Sequence, residues 1–253
     1  MTESSTLGLD GRVAVVTGGA RGLGLAIVRK LVSAGAHVYL NYRQDEAAAN
    51  AAVAELAGLK GTARAVRADI RREPELAELL EAVRADHGGL DLFVHNAGTW
   101  RPSTAVGVDL ESFRAEQEVT LNPLLFGAPL LAGLMAGRPG RIVAVSSNGA
   151  HAVIPGYVGV GVAKAALENL VRYLAVELAG KGIGVNAVST GMLDKGEQTP
   201  NRSMAEFLGR RTPGGRLTRP EDVADVVALL CTDEAAWLQG QVVSVDGGLG
   251  LLA

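Results

Sequence analysis

Short β-branched or apolar runs alternate along the chain with longer stretches of helical period, and this alternation predicts a parallel sheet covered by helices. Strands are expected at residues 13–16, 37–41, 63–67, 90–94, 141–146, 183–187 and 241–245. Helices are expected between them at 23–34, 46–56, 74–86, 110–135, 157–179 and 220–230. Seven strands with six connections give an α/β fold, a single doubly wound domain over residues 1–253, because no repeat, low-complexity block or linker divides the chain. Residues 189–219 lack a regular period and carry Met192, Leu193, Met204, Phe207 and Leu208 among polar residues. A long apolar-studded segment after the sixth strand is expected to be a substrate lid, with Met192, Leu193, Met204 and Phe207 walling an acyl chain; the alternative is a merely flexible insertion.

Composition narrows the partners. The chain has 253 residues, a net charge of −3 and 20% charged residues, so no basic field argues for nucleic acid or an anionic membrane. Small molecules or proteins are the expected partners. The single cysteine, Cys231, excludes an intramolecular disulfide framework and a multi-cysteine metal site, which fits a cytoplasmic location; Cys231 reads as inert core packing. Residues 1–11 carry neither a basic n-region nor an apolar h-region, so no signal peptide is expected. The uncharged stretch 119–137 is interrupted by Asn122, Pro123 and Pro129, and reads as a buried or interface helix rather than a membrane span.

The first strand runs into Thr17-Gly-Gly-Ala-Arg-Gly-Leu-Gly24 and then a helix. Gly18, Gly22 and Gly24 allow a tight turn and close approach of a pyrophosphate to a helix N-terminus, where free N–H groups and the helix dipole favour anions. The second strand ends Leu40-Asn41-Tyr42-Arg43, with no carboxylate before Asp45 to hold a ribose 2′-hydroxyl. Arg43, with Arg21 in the glycine loop, instead suits a 2′-phosphate, which favours NADP(H) over NAD(H); the alternative is a pair of solvated arginines. Farther along, Tyr157 and Lys164 stand seven residues apart at the start of an apolar helical run. A cation near a tyrosine favours its ionised form and makes it a better proton donor.

With the glycine loop, Asp69-Ile70, His95-Asn-Ala-Gly98, Ser146-Ser147, the Tyr/Lys helix and Val245-Asp-Gly-Gly248 in order, almost the whole chain resembles the short-chain dehydrogenase/reductase family. The resemblance implies a single Rossmann domain with a seven-stranded parallel sheet, a bound NAD(P)(H), and a homotetramer or homodimer. By position it implies that Asp69 bonds the adenine amine, Ile70 flanks that ring, and Asn96, Ala97 and Gly98 run beside the cofactor. Thr17, Leu23 and Gly191 complete the implied cofactor set, Lys164 holds the nicotinamide ribose, and Ser147 matches the family's active-site serine.

Departures from the family pattern carry information too. Most members place the tyrosine four residues before the lysine, where this chain has Val160; Tyr-x6-Lys is similar to the enoyl-acyl-carrier-protein reductases, in particular the NADPH-dependent enoyl reductase III branch. Thr120 replaces the family's relay asparagine, Thr190-Gly191 its Pro-Gly, Lys195 a cofactor-binding threonine, and His95 the first asparagine of Asn-Asn-Ala-Gly, where a buried, hydrogen-bonded histidine is expected.

The expected reaction is reduction of an enoyl thioester double bond by NADPH. Hydride goes to Cβ, charge develops on the distant thioester oxygen, and a phenol displaced along the helix sits where that enolate forms. Tyr157 is the expected proton donor, and Lys164 is expected to lower its pKa. Ser147 either assists oxyanion stabilisation or only caps the strand end. A carbonyl reductase, with Tyr157 reoriented by Pro155 and Gly156, and a non-catalytic NADP-binding scaffold stay open. Arg202, Arg210, Arg211 and Arg216 are candidates to meet a phosphopantetheine phosphate or an acyl-carrier protein.

Overall fold

The computed structural model describes residues 7–252, so residues 1–6, and most of the leader reading with them, lie outside the described part. Seven strands form one parallel sheet: β1 (Val13–Val16), β2 (His37–Tyr42), β3 (Thr62–Arg67), β4 (Leu92–His95), β5 (Arg141–Val145), β6 (Gly184–Ser189) and β7 (Val242–Ser244). Their order is β3-β2-β1-β4-β5-β6-β7. The chain therefore winds outward one way through β3 and the other way from β4, and the direction reverses between β1 and β4. In a parallel sheet the crevice beyond the carboxyl ends at such a reversal is where ligands bind.

Alternate strand residues feed two cores. Val13, Val15 and Phe93 face a layer built by α3 (Glu73–His87), α4 (Leu110–Leu125), α5 (Gly127–Leu134) and α6 (Val158–Ala179), with Leu76, Leu80, Leu124, Leu131, Leu167 and Val171 inside it. Ala14, Val16, Leu92 and Val94 face the opposite layer, where α1 (Gly22–Ser33), α2 (Glu46–Glu55) and α8 (Pro220–Leu230) contribute Ile27, Val28, Leu31, Ala49, Ala52, Val223 and Val227. Both faces are buried, which is why the strands read as nearly continuous apolar runs. Cys231 caps α8 inside the second core; burial pushes its thiol up to about 12, so it stays protonated and inert.

Two expectations are corrected. The single helix expected at 110–135 is two helices meeting at Phe126. Pro129 has no N–H to give the Leu125 carbonyl and its ring crowds that oxygen, so it is accommodated only in the first turn of a new helix. The segment 189–219, expected to be irregular, contains α7 (Arg202–Arg211), capped by Asn201 Oδ1 accepting from the Met204 amide. Met204, Phe207 and Leu208 sit at helical spacing within it, a signal present in the sequence but hidden among polar residues.

Candidate active site

The glycine loop lies between β1 and α1 with its backbone committed to that shape. Gly18 and Gly22 have φ of +64° and +54°, the left-handed region that glycine tolerates. A Cβ at Gly24 would stand 2.0 Å from the Gly18 carbonyl oxygen, so no other residue lets α1 start this close to the loop. Asn41, at the end of β2, holds the loop from the other side: its amide donates to the Ala68 carbonyl at 3.0 Å, and its Oδ1 lies 3.5 Å from the Gly18 amide.

Beyond the strand ends lies a cavity of about 810 Å³, and it gathers residues that the sequence could only mention separately. Gly18, Arg21, Gly22, Leu23, Gly24, Arg43, Asp69, Ile70, Asn96, Ala97 and Gly98 all line it. The N-terminus of α1 opens into this space, and Arg21 and Arg43 are exposed at its rim. Thr17 is not in the wall but fully buried behind it, where its hydroxyl accepts the amides of Asn96 and Ala97, each at 3.0 Å. Arg71, Lys195 and Gln198 also line the cavity. The sequence noted Lys195 only as a departure and gave Arg71 no role. Arg71 clamps Asp69 through both carboxylate oxygens, which holds that carboxyl below the usual range.

His95 is fully buried, as expected, and its tautomer follows from its neighbours. Thr17 Oγ1 already accepts two amides, so its proton goes to His95 Nδ1 at 3.0 Å, leaving the Nε2 proton for the Thr120 carbonyl at 3.0 Å. Burial, with Lys164 nearby, pushes its pKa down to about 3, so the ring is neutral. It is a strut between the glycine loop and α4.

Lys164, Gly191, Ser147 and Tyr157 lie outside that cavity's lining, around the ends of β5 and β6 and the start of α6. Tyr157 is the N-cap of α6, with φ of −118° and ψ of 13°, so its backbone is not yet helical. The ring packs on Gly149, where a Cβ would stand 2.8 Å from it, and tilts against Trp100 with centroids 6.2 Å apart. Trp100 is a site neighbour the sequence did not reveal. Its Nε1 donates to the Gly156 carbonyl at 3.3 Å, which also accepts the Ser103 amide at 3.0 Å, so the β4–α4 loop is clasped to the turn that presents the tyrosine.

One electrostatic expectation is overturned. The Tyr157 phenol is raised, not lowered: burial dominates, Ser147 beside it pulls the other way, and the Glu116 carboxylate adds to the rise. Lys164 is not among the groups that move it; its ammonium donates to the Val145 carbonyl at 2.6 Å. Burial takes Lys164 itself down to about 8, against a smaller raising effect of Glu168. Val160, at the position four before the lysine, is buried and apolar.

The four expected substrate residues separate. Leu193 is partly buried against the α1/α8 core, and its backbone is tied by a bridge to Thr218. Met204 and Phe207 are each 46% exposed on α7, with the Arg211 guanidinium over the Phe207 ring. Met192 is half-buried just after Gly191.

Residues 18–250 match the family described as Enoyl-(Acyl carrier protein) reductase. The 1-cyclohexenylcarbonyl-CoA reductase of Streptomyces collinus is 34% identical over 251 residues, covering 96% of this chain and 88% of that protein. The 3-oxoacyl-[acyl-carrier-protein] reductase of Synechocystis sp. is 33% identical, covering 95% and 98%. The chain belongs to the short-chain dehydrogenase/reductase family. It is an oxidoreductase. A solved structure from Beutenbergia cavernae, assigned as an NAD(P)-dependent gluconate 5-dehydrogenase and holding NADP at low occupancy, superposes with a TM-score of 0.88 at 31% identity, covering 98% of this chain and all of that one. As in other short-chain dehydrogenases/reductases, the glycine loop and helix N-terminus suit a nicotinamide dinucleotide: Gly18, Gly22 and Gly24 bring bare backbone to the cavity wall, and the N-terminus of α1 opens toward it.

Proposed function

We propose that this short-chain dehydrogenase/reductase uses NADPH to reduce the double bond of an enoyl thioester. The observation that carries the reading is the placement of Tyr157 at the N-cap of α6, with buried Val160 at the position four before Lys164. The bound cofactor supplies the hydride. Gly18 to Gly24 hold its pyrophosphate, Arg21 and Arg43 its 2′-phosphate, Asp69 and Ile70 its adenine, and Lys164 its nicotinamide ribose.

Tyr157 donates its proton to the thioester carbonyl oxygen, where an enolate's charge develops several bonds from the carbon that receives hydride. The buried phenol is protonated at neutral pH and so carries the proton that the enolate takes. Met204 and Phe207 offer apolar surface to an acyl chain, and residues 189–219 close over it as a lid. NADPH with crotonyl and acetoacetyl thioesters, followed by product identification, tests the reading: butyryl product supports it, and 3-hydroxybutyryl product from acetoacetyl thioester alone overturns it.

A second reading, carbonyl reduction, has its own support. Ser147 lies beside the Tyr157 phenol, an arrangement in which both hydroxyls reach one carbonyl oxygen. The same assay separates the two.

A further inference from the structure

The family resemblance gives Asp69 to the adenine amine, yet in the folded chain its carboxylate is already taken. Four hydrogen bonds from Arg71 reach it: the backbone amide to Oδ1 at 3.2 Å, Nε to Oδ1 at 2.8 Å and to Oδ2 at 3.2 Å, and Nη2 to Oδ2. An ionised carboxylate offers about four acceptor positions, so Arg71 fills them. Both side chains are largely withdrawn from water, with 16% of Asp69 and 30% of Arg71 exposed, and both line the dinucleotide cavity.

The pair is held from outside as well. Glu75, in the first turn of α3, accepts the Asp69 amide on Oε2 at 2.7 Å and Arg72 on Oε1 at 2.8 Å. Asn122 of α4 donates through Nδ2 to the Arg71 carbonyl at 3.3 Å. On its other side Arg71 shares the wall of a second cavity, of about 490 Å³, with Arg43, Arg67 and Arg101. Those three bond, in turn, Gln44, the Arg43 carbonyl and Ser112, all uncharged partners. Like charge on that side opposes any swing of Arg71 off its carboxylate.

On the dinucleotide reading given above, we propose that Arg71 is the adenine-binding residue and Asp69 its positioning anchor, so that the protein accepts a purine without reading the amine. A guanidinium plane stacks on an aromatic ring, and every base has such a face. A free carboxylate would instead accept from the amine of adenine and repel the carbonyl oxygen that hypoxanthine carries in its place. Selection of the adenosine half then falls to its phosphate, which Arg21 and Arg43 meet, and not to its base.

Fluorescence titration of the full-length protein with NADPH and with nicotinamide hypoxanthine dinucleotide phosphate tests this without turnover. In wild type the two Kd values are expected to agree within about twofold. Arg71→Met keeps the bulk of the stem and frees the carboxylate, so the hypoxanthine dinucleotide should fall behind NADPH by roughly tenfold or more, the worth of one hydrogen bond to a charged group. Wild-type protein that already prefers NADPH by that margin overturns the proposal, as does an Arg71→Met protein that binds both alike. Should the Met variant fail to fold, Arg71→Lys takes its place: one ammonium cannot cover both oxygens, so the same discrimination is expected, and equal binding there is again fatal. NADH and its hypoxanthine counterpart give the same comparison without the 2′-phosphate. Failure of the dinucleotide reading itself has a different signature, since neither NADPH nor NADH then binds wild type, and the proposal falls with it.

Discussion

At the scale of single residues, the proposed site rests on two side chains that burial shifts in opposite directions. Tyr157 is pushed up by burial and Lys164 is pushed down to about 8 by burial. The phenol therefore stays protonated across the range in which the ammonium discharges. Lys164 is charged below its pKa and neutral above it, so activity that depends on the ammonium should fall as pH rises through about 8, and a pH–rate profile of kcat should place the alkaline limb there. Lys164→Met should remove that limb along with most activity. Replacing Tyr157 by Phe should leave NADPH binding intact, measured by fluorescence titration, while turnover drops by about 10²- to 10⁴-fold. At the cavity rim, Arg43→Ala with Arg21→Ala should weaken NADPH by roughly 10- to 150-fold per lost charge-assisted bond and leave NADH nearly unaffected. A wild-type preference for NADH would remove the basis for that assignment. The sequence disclosed the identity of these groups but not their electrostatics, because Val145's carbonyl and Glu116 come from segments distant in the chain.

At the scale of elements, what the sequence made legible was whatever has a strong local period. β1, β2 and the α1 and α8 helices lie close to their expected positions, since each buries a clear apolar face. The α4/α5 break was written in Pro129 but masked by the continuous apolar run around it. Helix α7 was missed because its apolar positions are few and half-exposed, so the cap at Asn201 was its strongest local sign. The clasp between Trp100, Ser103 and Gly156 was out of reach, because it joins loops more than fifty residues apart through backbone carbonyls. Within α7, Phe207→Ala should raise KM for long acyl thioesters more than for short ones, and equal effects on both would assign the helix to folding instead. Deep in the α3–α6 layer, Leu167→Ala should cost about 2–5 kcal/mol in chemical denaturation, since its side chain is fully buried and leaves a cavity.

At the scale of the whole molecule, the chain leaves large apolar side chains in water. Tyr173 and Val176 on α6 are 63% and 80% exposed, and Trp237 is 98% exposed. Among the described residues no helix is long and apolar enough to cross a membrane, so these side chains do not belong to a transmembrane span. Exposed apolar side chains that gather on one surface mark protein interfaces, and the assembly we propose is a homotetramer. Light scattering should give a mass well above the 26.1 kDa of one chain, and Val176→Glu on the α6 face should shift it downward. A 26.1 kDa species at micromolar concentration would contradict the assembly.

The short pairing of Leu193 with Thr218, reinforced where Arg216 grips Asp222 at the start of α8, has an engineering consequence. Both feet of the excursion between these residues stand side by side, and Leu193 packs, partly buried, against the α1/α8 core. Lys195 and Gln198 line the dinucleotide cavity, so the exchangeable cassette between the two feet is 199–215. Grafts from relatives confined to those residues should leave the sheet and the dinucleotide cavity undisturbed, and a library of such grafts would exchange substrate preference while cofactor preference stays with the host.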